Sequence, residues 1–186
     1  MTPVNYIIMP TEVTDQKLDK ALKQLSYGFY IVATRKGGAE LETREEDWVS
    51  AATVSWAMQS SFDPPLITIA VQKDSDLNET IQRAQSFSLT VLGKQDEQLI
   101  KTFAEQTEVD YSNQKVNGVS YQEGETGAPV LQCGIATLEC TLEDALTTPG
   151  DHLLFVGRIV SAESRGENPI TEADTRKHYE GVSERS

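Results

Sequence analysis

The stretch from Trp48 to Ser75, WVSAATVSWAMQSSFDPPLITIAVQKDS, constrains the fold most. Two strand-like runs, 49–56 and 66–72, are joined by a Phe62-Asp63-Pro64-Pro65 turn signal. The first run is rich in small residues and hydroxyls. The second is apolar and ends in Lys73-Asp74-Ser75. Small side chains and hydroxyls beside a buried sheet leave room for a flat ligand with a polar tail.

The remaining pattern is mostly β with two or three helices. Leu18, Ala21, Leu22 and Leu25 fall at i, i+3, i+4 and i+7, which predicts a helix over 15–25. Phe29 to Thr34 is a β-rich run closed by Lys36-Gly37-Gly38, and residues 39–47 form an acidic, solvated excursion. A short helix is predicted over 75–84, a strand over 87–92, and a helix over 96–104 with Leu99, Ile100 and Phe103 on one face. Residues 105–128 are polar and rich in glycine, the interior part with the least sign of order. Strands over 130–142 and 152–160 pair around Thr147-Thr148-Pro149-Gly150. The tail 166–186 has little apolar content and reads as mobile or as lying across a partner. Short strands with helices between them favour an antiparallel β-barrel with helices covering its ends, in one domain with a core of about 15–165.

Composition narrows the function classes. A chain of 186 residues can bury a sizeable core in one domain. The net charge of -13 argues against nucleic acid and against anionic membranes. No apolar run reaches a membrane span, and the first ten residues lack the features of a signal peptide. Cys133 and Cys140 form no CxxC and would point to opposite faces of one strand. Free thiols suit a reducing, cytoplasmic compartment. With two His and two Cys, none at ligand spacing, no metal site is expected.

Several residues could carry chemistry, each with a structural reading beside the functional one. Thr53 and Ser55 share one strand face, and Val54 and Trp56 the other. The hydroxyl pair either faces solvent or holds the polar edge of a ring or phosphate. Lys73, Asp74 and Ser75 sit where a strand gives way to a helix, so they serve as an N-cap or as an anion site. Asp74 and Asp76 oppose an anion there. His152 begins a strand after Gly150-Asp151 and either touches a ligand ring or is a structural imidazole. His178 has no constellation, and neither a nucleophile pattern nor a P-loop or GxGxxG is present.

Taken in order, these pieces resemble the flavin reductase-like family of FMN-binding split barrels. The resemblance rests on Ser55-Trp56-x-x-Gln59-x-Ser61-Phe62-Asp63-Pro64-Pro65, then Lys73-Asp74-Ser75. Leu25-x-x-Gly28-x-Tyr30-x-Val32, Phe87–Leu92, Gly127–Leu131, Leu138-Glu139-Cys140 and Gly150-Asp151-His152 with Phe155-Val156-Gly157 follow the same family order. The match spans roughly 20–160 and is closest to the flavin reductase-like module of diflavin flavoproteins. It implies an antiparallel split β-barrel and a homodimer holding FMN, with FAD as an alternative. It implies that Thr53, Val54, Ser55 and Trp56 border the flavin ring and ribityl chain. Gln72, Lys73, Asp74 and Ser75 would meet ribityl and phosphate, and His152 would sit by the nicotinamide. The implied activity is hydride transfer from NAD(P)H to flavin, with a redox partner protein downstream. The alternative is an FMN-binding electron-transfer module without its own NAD(P)H activity.

Overall fold

The computed structural model of the protein describes residues 15–36 and 48–175. The first ten residues, the acidic excursion 39–47, and the tail from residue 176 onward, with His178, lie outside the described residues.

Helix α1 (Asp15–Leu22) leads into β1 (Tyr30–Lys36). Its predicted apolar stripe is not in the core: Leu18, Leu22 and Leu25 are exposed. Strand β2 (Trp48–Val54) pairs with β1, Tyr30 opposite Val54. The predicted run 49–56 therefore breaks after Val54. A separate strand, β3 (Ala57–Ser61), makes the hairpin with β4 (Leu66–Gln72) through the Phe62–Pro65 turn. The break has a local cause. The Thr53 amide donates to the Phe103 carbonyl (2.9 Å), and the Trp56 carbonyl already accepts from the Ala70 amide (2.9 Å). The chain changes partners within Ser55 and Trp56.

Helix α2 (Asp76–Ala84) starts at Ser75, whose Oγ accepts from the Asn78 amide at 3.2 Å, and ends at Gln85 in the left-handed region. Strand β5 (Ser86–Val91), helix α3 (Glu97–Thr102), β10 (Ala136–Thr147) and β11 (His152–Ser164) follow, with four short strands before β10. The main sheet has seven antiparallel strands in the order β2-β1-β5-β10-β11-β4-β3. β2 and β3 are its two edges, yet they are joined by only two residues. Seven flat strands would span about 29 Å, at about 4.8 Å per gap. The three Cα steps from Val54 to Ala57 reach about 11 Å at most. The sheet is therefore rolled, and β2 approaches β4 across the seam. No ladder joins the two edges among the described residues; the chain itself does.

Residues 105–128 are more ordered than their polarity suggests. Strands β6 (Val109–Asp110), β7 (Lys115–Val116), β8 (Val119–Glu123) and β9 (Pro129–Leu131) form a four-stranded sheet. Asn117 and Gly118 turn β7 into β8 with φ of 48° and 80°, as a tight Asn-Gly hairpin requires. The predicted strand over 130–142 is split between β9 and β10, where Gly134 takes φ of 73°.

The hydrophobic core has two parts because β1 is buried on both faces. Ile31 and Ala33 pack with Val49, Ala51, Phe103, Val116, Tyr121 and Leu131 between the main sheet, α3 and the small sheet. Val32 faces the roll with Val54, Ile69, Phe87, Phe155 and the α2 residues Leu77 and Ile81. The start of the tail docks on the body of the fold. Ile170 is buried, its amide donates to Leu92 and its carbonyl accepts from Phe29, and Lys94 pairs with Asp174 at 2.6 Å.

Gly157 is required where β11 crosses the interior. A Cβ there would lie 2.6 Å from Phe87 Cζ and 2.9 Å from Cys140 Cβ. Gly157→Ala is expected to destabilise the protein by about 1–3 kcal/mol through overpacking. A lowered urea midpoint checks this, and an unchanged midpoint contradicts the packing described.

Candidate functional site

The seam of the roll gathers the polar and aromatic residues of interest. Gln72, last in β4, pairs with His152, first in β11. The hydrogen bond from the Ala70 amide to the Trp56 carbonyl sets Trp56 beside β4. Its ring lies 4.8 Å from the His152 imidazole, tilted by 46°. The Tyr27 ring also approaches the indole, at 6.3 Å between centroids and tilted by 49°. Trp56 stays 47% exposed, so this ring pair has an open face at the surface.

The imidazole is held from its own turn. Its Nδ1 lies 2.7 Å from the Asp151 carboxylate. That hydrogen bond holds Asp151 below the usual carboxylate range, so the acid stays ionised beside the ring. With Nδ1–H donated to Asp151, Nε2 is the nitrogen left for a ligand. The Thr148 hydroxyl donates to the His152 carbonyl. Lys73 Nζ donates to the carbonyls of Thr148 (2.7 Å) and Gly150 (2.6 Å), and its amide donates to Asp151 (2.9 Å). Ser75 caps α2 and donates to the Gln72 carbonyl at 2.8 Å. Asn78, buried, donates from Nδ2 to the Lys73 carbonyl at 2.6 Å.

Of the sequence-predicted residues, Trp56, Gln72, Lys73, Ser75 and His152 come together here, with Asp74 exposed alongside. Ser55 lies half-buried in the link. Thr53 and Val54 point elsewhere. The Thr53 hydroxyl donates to the Ile100 carbonyl at 2.8 Å, and Val54 is part of the core inside the roll. Thr53 and Ser55 do not form one hydroxyl face, because the strand ends between them. Sequence reasoning missed Tyr27, Thr148 and Asn78. Asn78 had a detectable signal, as an amide three residues after a Ser N-cap. Tyr27 and Thr148 had none, because their contacts cross between distant segments.

Cys140 is buried and Cys133 half-buried, and both thiols are held in the protonated direction. Burial pushes Cys133 up to about 12, with Asp96 adding to the rise. Burial does the same to Cys140, reaching about 12, with Glu139 adding to it. They pack against different parts of the core and form no disulfide. Among the described residues no cluster of His, Cys, Asp and Glu could hold a metal ion, and no helix is long and apolar enough to cross a membrane.

A seven-stranded antiparallel roll with a ring pair at its seam defines a class, and comparison with known proteins names it. Residues 22–183 match the flavin reductase like domain, and the chain belongs to that family. A diflavin flavoprotein (A 3) of Nostoc sp. strain PCC 7120 is 33% identical over 157 residues, covering 79% of this chain and 25% of the relative. The chain thus spans about a quarter of the length of the diflavin flavoproteins it matches. The NADH:FAD oxidoreductase SgcE6 of Streptomyces globisporus superposes with a TM-score of 0.65 at 25% identity, covering 87% of this chain and 89% of that one. BorF, the flavin reductase component of a bacterial tryptophan halogenase, superposes at 0.69 with 24% identity, covering 85% and 92%. The expected mainly β, antiparallel architecture holds, without hydrogen-bonded closure of the barrel among the described residues.

The raised thiols give a direct expectation. At about pH 8, a thiol reagent reacts slowly with the native protein and at the ordinary rate after unfolding in urea. The native state keeps protons that the unfolded chain loses above 9.0, so stability from these groups is full below that pH and falls as pH rises towards about 12. Rapid labelling of both native thiols contradicts their burial.

Proposed function

We propose that the chain is an NAD(P)H:flavin oxidoreductase domain, taking FMN first and FAD as an alternative. The Trp56–His152 ring pair carries the proposal: part-exposed indole and imidazole faces suit a flat conjugated ring. The donor set fits the group at both ends. The seam offers aromatic faces, and the first turn of α2 offers N–H groups and a favourable dipole for a phosphate. Asp74 and Asp76 are exposed, so solvent screens their charge at this end.

In this reading Ser55 and Trp56 border the flavin ring, while Thr53 and Val54 fix the start of the link that carries them. Gln72, Asp74 and Ser75 line the way to the ribityl and phosphate end, and Lys73 holds the turn that faces them. His152 presents Nε2 to the nicotinamide side. A bound flavin supplies the two-electron chemistry, and the protein supplies orientation and shielding from water. Hydride transfer itself needs no general base among the side chains. A homodimer belongs to the same reading. Leu18, Leu22 and Leu25 on α1 and Met58 and Phe62 around β3 are exposed apolar groups that a second copy would cover.

The direct test mixes purified protein with FMN or FAD and NADH or NADPH without oxygen and follows loss of flavin colour. Reduction well above the rate without protein is expected; equal rates reject the proposal. A second reading has its own support. In the diflavin flavoproteins about three quarters of the chain lies outside the matched region, so electrons could arrive from another domain instead of from NAD(P)H. His152→Ala separates the two. The enzyme reading expects KM for the nicotinamide nucleotide to rise at least about tenfold, with flavin affinity kept. The relay reading expects no NAD(P)H-driven reduction even in the parent protein.

A further inference from the structure

We infer that Lys73 is a positioning residue for His152, acting through the β10–β11 turn, and not the anion ligand its place beside Asp74 and Ser75 suggests. The inference rests on the reading of this seam as a flavin and nicotinamide site.

The β10–β11 turn is short and solvent-facing, with Thr147, Pro149, Gly150 and Asp151 exposed. It carries His152 at its end. Lys73 binds it at three points, all within four residues of His152. The Nζ bonds to Thr148 and Gly150 are 2.7 and 2.6 Å, and the amide bond to Asp151 is 2.9 Å. The two Nζ bonds have the short lengths of charge-assisted hydrogen bonds. The residues held are the ones that hold the ring. The Thr148 hydroxyl donates to the His152 carbonyl, and the Asp151 carboxylate takes Nδ1. Lys73 is anchored on its own side by buried Asn78, whose Oδ1 also accepts from Gln82 at 2.8 Å. A continuous set of contacts therefore runs from α2 through Lys73 and the turn to the imidazole over Trp56.

The anion reading fits this geometry poorly. An ammonium has three N–H donors, and two already meet carbonyls. A phosphate drawing Lys73 away would leave the Thr148 and Gly150 carbonyls without their charged donor. At the turn it would also meet the Asp151 carboxylate, which is exposed beside those carbonyls. Loss of the clamp loosens the turn and the imidazole, and a displacement of about 1 Å near a reacting centre can cost about 100-fold.

The test compares the parent chain with Lys73→Met and Lys73→Arg, all in a Trp48→Phe background so that Trp56 is the sole indole. In the flavin-free protein, protonated imidazole quenches a neighbouring indole, so a pH titration of Trp56 emission reports on His152. The expected result is that Lys73→Met shifts or flattens this titration and leaves the preference for FMN over riboflavin intact. KM for the nicotinamide nucleotide rises about 10- to 100-fold. Lys73→Arg, with two N–H groups for the same carbonyls, restores the titration. Loss of the FMN preference with an unaltered Trp56 titration overturns the inference. If the parent binds no flavin, the functional reading fails, and the Trp56 titration alone decides the role of Lys73. Should Lys73→Met not fold, Lys73→Gln carries the same readouts.

Discussion

Val54 ends the strand at one edge of the seven-stranded sheet, and Ala57 begins the strand at the other. Two residues must span what a flat sheet would hold about 29 Å apart, so the covalent chain forces the roll. Most of the architecture follows from that link. Rolling turns Val32, Val54, Ile69, Phe87 and Phe155 towards one another and makes an interior that α2 can cover. It leaves the opposite face of β1 and β2 to be buried by α3, the small sheet and Ile170. Thr53 holds the link at its start, through the Ile100 and Phe103 carbonyls, and Trp56 holds it at its end, through the Ala70 amide.

The site lies at the same seam for the same reason. The indole of Trp56 can meet an imidazole from β11 only because the link brings it to β4, the neighbour of β11. His152 needs a second restraint, since it sits at the end of an exposed turn. Lys73 and Asp151 provide it, one through backbone carbonyls of the turn and one through Nδ1. Orientation of rings is the main contribution a protein makes to transfer between two conjugated cofactors.

Much of this was legible in the sequence, and the failures are physical. Alternation and turn residues marked β1, β4, β5 and the β10–β11 hairpin, and the ordered motifs marked the family. The 49–56 run misled because nothing local distinguishes a continuous strand from one that changes partner; the tertiary bonds of Thr53 and Trp56 decide it. The small sheet was hidden by polar residues around a few apolar ones, although Asn117-Gly118 was a strong hairpin signal. Ile170 was a lone apolar residue in a polar tail, yet it fills the core. The charge of Lys73 at the end of a strand was legible, but which carbonyls come within its reach was not, because Thr148 and Gly150 lie 75 and 77 residues further along the chain.

The central claim is that the seam around Trp56 and His152 is where the flavin ring lies. Trp48 stands at the far end of β2 and is exposed, so Trp48→Phe leaves Trp56 as the only indole without disturbing the seam. Titrating that variant with FMN measures the claim directly. The account predicts that Trp56 emission is quenched in step with flavin binding and saturates with it. Flavin that binds while Trp56 emission stays unchanged would place the ring elsewhere and contradict the account.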